Sequence, residues 1–265
     1  MKIYNEYLEV GKNKIEVRCF MNNKNSTEKN TIILLHEGLG CVKMWKDWPE
    51  KLSQRLSNNI IVYSRLGMGN SSINKKEKTT DFMNEEALYY LPKIIKKYSN
   101  SNPILLGHSD GASIALIYAG NSLPCKALIL EAPHVIVEPI TINEIKNIKK
   151  KWKNSILREK LKKYHNNPDI SFFSWCNVWL SKSFSAWNIT NIIKNISCPI
   201  LLLQGDKDQY GTIRQLNLIE KFANTYVRKI MIENCKHSPH LEFSKVVIDY
   251  VDEFIQDILI QYDQV

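Results

Sequence analysis

The sequence predicts an α/β fold, in which a mostly parallel β-sheet flanked by helices carries one inserted helical cap. Short runs of Ile, Leu and Val alternate with longer segments of helical periodicity, and such alternation is typical of βαβ units. The alternation is interrupted once, because no strand pattern is found from Glu131 to about Thr190. A stretch of about sixty residues is too long for a plain loop in a compact domain. We therefore interpret it as a group of helices inserted into one domain.

Seven short segments are predicted as strands because they are rich in Ile, Leu and Val and show little polar alternation, as expected for strands buried on both faces. They are Lys14–Phe20, Thr31–His36, Asn59–Tyr63, Pro103–Gly107, Lys126–Leu130, Pro199–Gln204 and Arg228–Ile232. A Gly-Lys-Asn-Lys turn at residues 11–14 links the first two strands of the chain. So short a connection predicts an antiparallel pair at one edge of the sheet.

Helical periodicity is clearest in two segments. One apolar face is formed by Leu88, Leu91, Ile95 and Tyr98, although Pro92 is expected to bend or shorten that helix. In the last segment of the chain, the residues on one face are Val247, Tyr250, Val251, Phe254 and Ile258. Both patterns predict amphipathic helices.

The predicted domain organisation is an α/β core of residues 1–132 and 191–265 with a helical cap at residues 133–190. The first part of the cap is basic, since nine Lys or Arg residues and two Glu residues lie within residues 144–164. The second part is aromatic, with Phe172, Phe173, Trp175, Trp179, Phe184 and Trp187. No nucleic-acid-binding motif accompanies the basic stretch 146–163. It is interpreted either as a solvated helix face or as a docking surface for an acidic protein.

Several protein classes are disfavoured by what the sequence lacks. The N-terminal residues contain no apolar segment typical of a signal peptide, and the aliphatic runs are far shorter than the ~20 residues that span a bilayer. Six cysteines are scattered without a CxxC pair, which predicts reduced thiols and a cytoplasmic location. No Cys/His cluster has metal-ligand spacing, so we expect neither a metal nor an organic cofactor.

The strongest functional motif is Gly107-His108-Ser109-Asp110-Gly111, which follows a predicted strand and precedes a helical segment. A strand, a sharp turn and a helix around G-x-S-x-G form a nucleophile elbow, in which the turn holds the serine in a strained backbone conformation. Ser109 is therefore the predicted nucleophile. It should project at the carboxyl edge of the sheet, where open α/β sheets bind ligands.

A serine hydroxyl needs a base to take its proton, and the base needs an acid that orients it. In this kind of fold the acid and then the base follow the serine, each after a strand. One such loop offers Asp206 and Asp208, and Asp208 is favoured because it lies beyond the tight turn that ends the strand. The last loop offers His237 and His240, and His237 is favoured because His240 is expected to open a helix. Two further histidines are assigned to surface or pocket-lining positions: His134 and His165.

Acyl transfer through a serine also needs backbone N–H groups that stabilise an oxyanion. One predicted donor is the N–H of Asp110, the residue after the nucleophile. The other is the N–H of Gly38, with Leu39 as the alternative, in a loop whose glycines allow a substrate to approach closely. The candidates for the substrate pocket are Glu37, Leu39, Trp175 and Trp179.

With these residues identified, the chain resembles the α/β-hydrolase superfamily over nearly its whole length. The motifs that carry the resemblance are HEGLG in the oxyanion loop, RLGMGNS at residues 65–71, GHSDG at the elbow, GDKDQYG in the acid loop and KHSPH in the histidine loop. The chain looks most like bacterial carboxylesterases with helical caps, including the pimeloyl-acyl-carrier methyl esterases and the meta-cleavage-product hydrolases. The resemblance implies an α/β-hydrolase fold with a Ser-Asp-His triad.

Three positions depart from the pattern of this superfamily, since Glu37 and Lys236 each replace a Gly and Ser64 replaces an Asp. None of them removes a member of the predicted triad. Glu37 puts a carboxylate beside the oxyanion loop, where it either shapes substrate choice or pairs with Arg65. A serine nucleophile disfavours the branches that use Asp, which are the haloalkane dehalogenases and epoxide hydrolases.

These residues predict a carboxylic ester hydrolase that forms an acyl-serine intermediate with a small-molecule or acyl-chain ester. A more specific hypothesis is an ester carried by an acidic acyl-carrier protein, which the basic stretch 146–163 would attract. Two alternatives remain open. One is C–C bond hydrolysis of a dienone by the same triad, and the other is a non-catalytic binding protein on the same fold.

Overall fold

The sheet at the centre of the molecule contains eight strands within the residues that this computed structural model describes, namely 1–22, 31–74 and 78–262. The strands are β1 (Lys2–Val10), β2 (Asn13–Met21), β3 (Ile32–Leu35), β4 (Ile60–Tyr63), β5 (Ile104–His108), β6 (Ala127–Glu131), β7 (Ile200–Gly205) and β8 (Val227–Ile232). Their order across the sheet is β1-β2-β4-β3-β5-β6-β7-β8. Strand β2 is antiparallel to β1 and to β4, and the other pairs are parallel.

All seven strands predicted from the sequence are present, and each end lies within one residue of its predicted position. The antiparallel edge is confirmed, because β1 and β2 pair from Lys2↔Met21 to Val10↔Asn13. Burial on both faces is confirmed for β3 to β7, in which every residue is buried. It is wrong for β8, where Ile232 alone is buried, because β8 forms the opposite edge of the sheet and has a neighbouring strand on one side only.

Helices cover both faces of the sheet. In the described part of the chain they are α1 (Trp48–Leu56), α2 (Phe82–Glu85), α3 (Leu91–Tyr98), α4 (Asp110–Gly120), α5 (Pro139–Lys151), α6 (Ile156–Leu161), α7 (Pro168–Trp179), α8 (Thr190–Ile193), α9 (Arg214–Phe222), α10 (Pro239–Glu242) and α11 (Ser244–Tyr262). One apolar layer contains buried residues of α1 and α11, and the other contains those of α3, α4 and α9. The face predicted for the last helix is confirmed, since Val247, Val251, Phe254 and Ile258 are buried. No helix within the described residues is long and apolar enough to cross a membrane.

The helical segment that begins at Phe82 differs from its predicted register. A π-helical turn, Glu86–Tyr90, joins α2 to α3, and each π turn holds more residues than an α turn. Leu88, inside the π turn, is therefore out of line with the apolar face of α3 and is 44% exposed, whereas Ile94 in α3 is fully buried. Pro92, near the start of α3, cannot donate a hydrogen bond to the preceding turn. The predicted face is thus confirmed within α3, where Leu91 is buried and Ile95 and Tyr98 pack against the core, and it is wrong at Leu88, which lies in the π turn.

Between β6 and β7 the chain is helical and forms α5 to α8, a segment called the cap segment below. The basic stretch is divided among α5, a 3₁₀ turn at Trp152–Asn154, and α6. An isolated pairing of Ile136 with Asn188 joins the two ends of the cap segment. Trp152 stacks on Phe172 with ring centroids 3.5 Å apart. This contact fastens the basic part of the cap segment to its aromatic part.

Candidate active site

Ser109 occupies the turn between β5 and α4. Its backbone has φ of 54° and ψ of −118°, a region that residues with a side chain seldom adopt. A Cβ on Gly107 would meet the backbone of Gly111, and a Cβ on Gly111 would meet the carbonyl of Leu35. The N–H of Ser109 donates to the carbonyl of Glu131, 2.9 Å away at the end of β6. The turn is thus held between the two neighbouring strands, and its glycines permit that close packing.

Three loops at the carboxyl ends of parallel strands bring Ser109, His237 and Asp208 together. The Oγ of Ser109 lies 3.0 Å from Nε2 of His237, and Nδ1 of His237 lies 2.8 Å from Oδ1 of Asp208. Because an ionised carboxylate only accepts hydrogen bonds, Nδ1 carries the hydrogen and Nε2 can accept from the serine hydroxyl. This is the arrangement in which an imidazole can take a proton from a hydroxyl group.

The carboxylate of Asp208 is held by one donor from the end of β7 and two from its own loop. They are Nε2 of Gln204 at 3.1 Å and the N–H groups of Tyr210 and Gly211 at 2.8 and 3.3 Å. Burial raises the pKa of Asp208, but the charge of His237 and its hydrogen bond lower that pKa by more, so the net shift is downward. Asp208 is therefore ionised at neutral pH, as a residue that orients an imidazole must be.

The two alternatives from the sequence lie outside this hydrogen-bonded chain. Asp206 is exposed, and its carboxylate is 3.5 Å from Nζ of Lys207. His240 is buried in α10, where its Nδ1 and its N–H contact the carboxylate of Glu131 at 2.7 and 3.1 Å. Burial raises the pKa of Glu131, but His240 lowers it by more. His240 and Glu131 thus form a separate buried pair behind the elbow.

The two backbone donors predicted for an oxyanion hole lie on elements that pack directly together. Gly38 belongs to a turn after β3 that is closed by a 3.0 Å hydrogen bond from the Gly40 N–H to the Glu37 carbonyl. Asp110 is the first residue of α4, and N–H groups in the first turn of a helix have no acceptor within the helix. Because Gly111 contacts the end of β3, the two donors lie on adjoining segments beside the serine.

Within the described residues, the Glu37 carboxylate does not pair with Arg65. The Arg65 guanidinium instead donates to the backbone carbonyls of His36 and Glu37 at 2.5 and 2.8 Å, and its N–H donates to Nε2 of His36 at 3.0 Å. One buried arginine therefore holds the main chain of the oxyanion loop. The Glu37 carboxylate points to the other side, where its Oε2 lies 3.7 Å from Nδ1 of His108.

Helix α7 covers the site with two tryptophans. A Cβ on Gly38 would lie 2.7 Å from two ring carbons of Trp175, so this indole packs directly on the oxyanion loop. The ring of Trp179 packs edge-on against His134 at 5.3 Å, and the ring of His134 lies 5.9 Å from that of His237. Three of the pocket candidates are buried in this closed arrangement: Leu39, Trp175 and Trp179.

Three polar groups beside the site have pKa values shifted by burial, which no sequence pattern signals: the Asp110 carboxyl, Lys78 and His134. Burial raises the pKa of the Asp110 carboxyl, and the charges of Arg65 and Lys78 offset part of that rise. Burial, and then the charge of Arg65, lower the pKa of Lys78 to about 8. His134 is 2% exposed, and burial followed by the charge of His237 lowers its pKa to about 3. His134 is therefore a neutral wall of the site, and the surface position allowed for it is wrong.

His165 ties the cap segment to the oxyanion loop. Its Nδ1 accepts from the N–H of Gly69 at 2.9 Å, so the hydrogen is on Nε2, which donates to the carbonyl of Leu39 at 2.8 Å. The ring is 5% exposed, so a surface position is wrong here too. No sequence pattern signals this contact, because the two bonded residues lie far apart in the chain.

A cavity of about 640 Å³ lies beside α7 rather than at Ser109. Its walls include Lys78, Thr79, Phe173, Asn177 and Ser181. The triad itself lies beneath Trp175 and Trp179 and does not line this cavity. From α7, Phe173, Asn177 and Val178 line this cavity, whereas Trp175 packs on Gly38 and Trp179 on His134.

Known proteins resemble this chain both in sequence and in structure. The sequence profile of the α/β hydrolase fold family matches residues 30–174. A proline iminopeptidase of Lactobacillus delbrueckii subsp. lactis is 28% identical over 134 residues, which are 50% of this chain and 45% of that protein. A monoglyceride lipase homolog of Monkeypox virus is 24% identical over 217 residues, which are 74% of this chain and 79% of that protein.

Among solved structures, the enol-lactonase from Burkholderia xenovorans LB400 has a TM-score of 0.72 with this chain. It is 14% identical, and the superposition covers 95% of this chain and 100% of that one. A likeness at this level of identity concerns the fold alone. The alignment with the iminopeptidase spans less than half of that protein's length, so its activity is not transferred to this chain.

Proposed function

Because this chain belongs to the α/β-hydrolase family, we propose that it is a serine hydrolase that cleaves a carboxylic ester through an acyl-serine intermediate. The observation that carries the proposal is the hydrogen-bonded chain from Ser109 through His237 to Asp208, with donor–acceptor distances of 3.0 and 2.8 Å. The strained backbone of Ser109 supports it further, because strain of this kind concentrates at functional sites.

In the proposed reaction, Ser109 Oγ attacks the ester carbonyl carbon while His237 Nε2 takes the hydroxyl proton. The carbonyl oxygen becomes an oxyanion, which the N–H groups of Gly38 and Asp110 stabilise. The C–O bond to the alcohol then breaks, and His237 returns its proton to the departing oxygen. A water molecule, deprotonated by His237, attacks the acyl carbon; the bond to Ser109 Oγ breaks, Oγ recovers the proton from His237, and the acid is released. Asp208 keeps the imidazole oriented and stabilises its positive charge during both steps.

The cap segment is proposed to select the substrate. We take residues 133–190 as the cap and the remainder as the catalytic core, since the helices between β6 and β7 supply both tryptophans above the nucleophile. Trp175 lies on the oxyanion loop and Trp179 on His134, so an acyl chain bound at Ser109 would be enclosed by aromatic and aliphatic side chains. Glu37 and Leu39 complete the proposed pocket beside the carbonyl.

Labelling with a fluorophosphonate probe tests the proposed nucleophile. The wild type should be labelled and Ser109→Ala should not, because the probe phosphonylates an activated serine hydroxyl. Ser113→Ala is the matched control, since Ser113 is a buried serine in the next turn of α4 whose Oγ donates to the His134 carbonyl at 2.6 Å. Labelling that persists in Ser109→Ala, or its absence in the wild type, would contradict the proposal.

A substrate panel then tests the class of bond. It contains methyl, p-nitrophenyl and thioesters, a proline p-nitroanilide suggested by the relative named an iminopeptidase, and a dienone ring-cleavage product for C–C hydrolysis. We expect turnover of esters, abolished in Ser109→Ala. Preference for the anilide or the dienone by more than about tenfold in kcat/KM would move the proposal to that reaction.

The more specific proposal is that the ester is carried by an acidic acyl-carrier protein. Lysines of the basic stretch, among them Lys150, Lys151 and Lys153, are exposed on the cap segment. Turnover of the carrier-bound ester should fall steeply with rising salt, because screening weakens attraction between exposed charges. Turnover of the free methyl ester should not.

Charge removal provides the matched comparison for the carrier. Changing Lys150, Lys151 and Lys153 together to Gln should raise KM for the carrier-bound ester by about tenfold and leave that for the free ester unchanged. The control is Lys96→Gln with Lys97→Gln, two exposed lysines of α3 outside the cap segment. If both sets of substitutions raised KM for the carrier-bound ester equally, or if neither set raised it, the carrier would be removed from the proposal.

A further inference from the structure

His108 lies beneath the triad and contacts the main chain of the proposed base. Its Nε2 is 2.7 Å from the backbone carbonyl of His237, and the residue is 1% exposed. A carbonyl oxygen can only accept a hydrogen bond, so Nε2 of His108 must carry a hydrogen. The position of the His237 backbone, and through it of the imidazole, therefore depends on a donor from the residue that precedes the nucleophile.

The other ring nitrogen of His108 faces the Glu37 carboxylate. Nδ1 lies 3.7 Å from Oε2 of Glu37, an ion-pair distance, and has no hydrogen-bond partner within the described residues. With Nε2 already protonated, a neutral ring would turn the lone pair of Nδ1 towards a carboxylate. Protonation of Nδ1 replaces that repulsion with an attraction. Burial lowers the pKa of His108, but Glu37 raises it by more, and the pKa of Glu37 is lowered in turn.

Other titratable groups also face His108. The rings of His240 and His237 lie 5.0 and 5.1 Å away, and Glu131 adds a negative charge that raises the pKa of His108. The Glu131 carboxylate is bonded to His240, whereas the Glu37 carboxylate points at His108 itself. Glu37 is thus the carboxylate that faces Nδ1 of His108.

These contacts connect the two halves of the site. Glu37 directly precedes Gly38 in the oxyanion loop, His108 directly precedes Ser109, and the carbonyl bonded by His108 belongs to His237. We propose that His108 is a positioning residue, which holds the main chain of His237 through Nε2 and is itself held from the oxyanion loop by the Glu37 carboxylate. This inference rests on the proposed hydrolase function, because it assigns a role within that site.

The hydrogen bond is tested by comparing two substitutions of His108. His108→Met retains the approximate volume and removes the donor, so kcat for the ester should fall by about 10- to 100-fold with KM nearly unchanged, because a small misplacement of a catalytic group has effects of this size. His108→Gln restores an N–H donor at the end of a chain of similar length and should recover most of kcat. Equal kcat for His108→Met and the wild type would overturn the assignment, and so would failure of Gln to recover activity in a folded protein.

The charge balance is tested by the pH dependence of kcat/KM. His108→Gln leaves the Glu37 carboxylate without its proposed cationic partner. Because a nearby negative charge favours protonated His237, the fall of kcat/KM on the acidic side of the profile should then occur at higher pH. Adding Glu37→Gln removes that charge and should return this fall to its position in the wild type. If the role of His108 were purely structural, the acidic side of the profile would stay at the wild-type pH in both variants. An unchanged acidic side of the profile in His108→Gln would overturn the pairing of Glu37 with His108.

A measurement without substrate separates this inference from the proposed function. Spectra of ¹⁵N-histidine-labelled wild type and Ser109→Ala at pH 7 should show both ring nitrogens of His108 protonated, with assignment from His108→Gln. A neutral His108 would overturn the pairing even in an active hydrolase. A wild type that neither turns over esters nor reacts with fluorophosphonate would overturn the hydrolase proposal, while the spectra would still decide the state of His108.

Discussion

Two aspartates of the acid loop differ in surroundings although they are two residues apart. Asp208 is buried and accepts from His237 and from its own loop, whereas Asp206 is exposed and lies 3.5 Å from Nζ of a neighbouring lysine. Of the two, Asp208 alone contacts His237, so in the proposed reaction it is Asp208 that would fix the tautomer of His237 and stabilise the imidazolium. The two residues therefore form a natural pair of test and control positions.

Asp208→Asn should lower kcat for a model ester by about 10³- to 10⁴-fold, because the amide no longer stabilises the imidazolium and favours the wrong tautomer. Asp206→Asn should leave kcat within about twofold, as expected for an exposed charge with a weak partner. Steady-state kinetics of both variants at pH 7 give the comparison. A loss of similar size in Asp206→Asn would show that the acid has been wrongly assigned.

That Ser109, Asp208 and His237 lie together could be predicted from the sequence, because each of them follows an apolar strand in the required order. The contacts that support these three residues could not be predicted from the sequence. His240 bonds Glu131 across a separation of 109 residues, and His165 bonds Leu39 across 126. Such pairs are created by the folding of the sheet and carry no periodic signal. For the same reason, the sequence offered Arg65 as a partner of the Glu37 carboxylate, whereas the structure places that carboxylate beside His108.

At the scale of elements, α7 packs on the turn after β3, which is the oxyanion loop, and this packing limits the space around Gly38. A methyl group on Gly38 would collide with the ring of Trp175, whereas one on Gly111 would collide with backbone carbonyls of β3 and the residue after it. A side chain can be removed by mutation and a backbone cannot. The two glycines therefore predict different responses to a second change on the cap segment.

Gly38→Ala should lower kcat by about 100-fold, because the collision displaces the loop that supplies one proposed oxyanion donor. Adding Trp175→Ala should recover at least part of that loss by making room for the methyl group. Gly111→Ala serves as the control, and Trp175→Ala should not rescue it. If Gly38→Ala remains equally impaired with and without the indole, the collision is not the cause of the loss.

The sheet was more predictable than the helices for a physical reason. Central strands are buried on both faces, so short runs of Ile, Leu and Val locate them within one residue. Helical registers depend on every turn being of one type, and the π turn at Glu86–Tyr90 places Leu88 outside the apolar face that continues in α3. The edge position of β8 likewise depends on strand order, which local composition does not encode.

For the whole molecule, buried histidines with shifted pKa values contribute to the dependence of stability on pH. Burial and the charge of His237 lower the pKa of His134 to about 3, from an ordinary value of 6.5. Between these two values the unfolded chain binds a proton that the folded protein does not, so stability falls as the pH falls. His36 acts with the same sign, since burial, and then the charge of Arg65, lower its pKa. His108 acts with the opposite sign, because its pKa is raised.

His134→Gln should reduce this acid sensitivity. Between pH 7 and 5 the wild type should lose about 2 kcal/mol more of its unfolding free energy than the variant, from about 1.4 kcal/mol per pH unit below the ordinary histidine pKa. Urea titrations of both proteins at the two pH values measure the difference. Parallel losses in the two proteins would mean that His134 is not the group that takes up the proton on unfolding.

The bond from His165 to Leu39 has a consequence for engineering this scaffold. The cap segment cannot be replaced simply by joining another cap at its two ends, because His165 within it is bonded to the main chain of the oxyanion loop. A donor cap grafted between β6 and β7 would bring a new binding surface but would delete this anchor. Recombination that keeps residues 160–168 of the host, or that rebuilds an equivalent donor there, would preserve the contact with the Leu39 carbonyl while exchanging the rest of the cap segment.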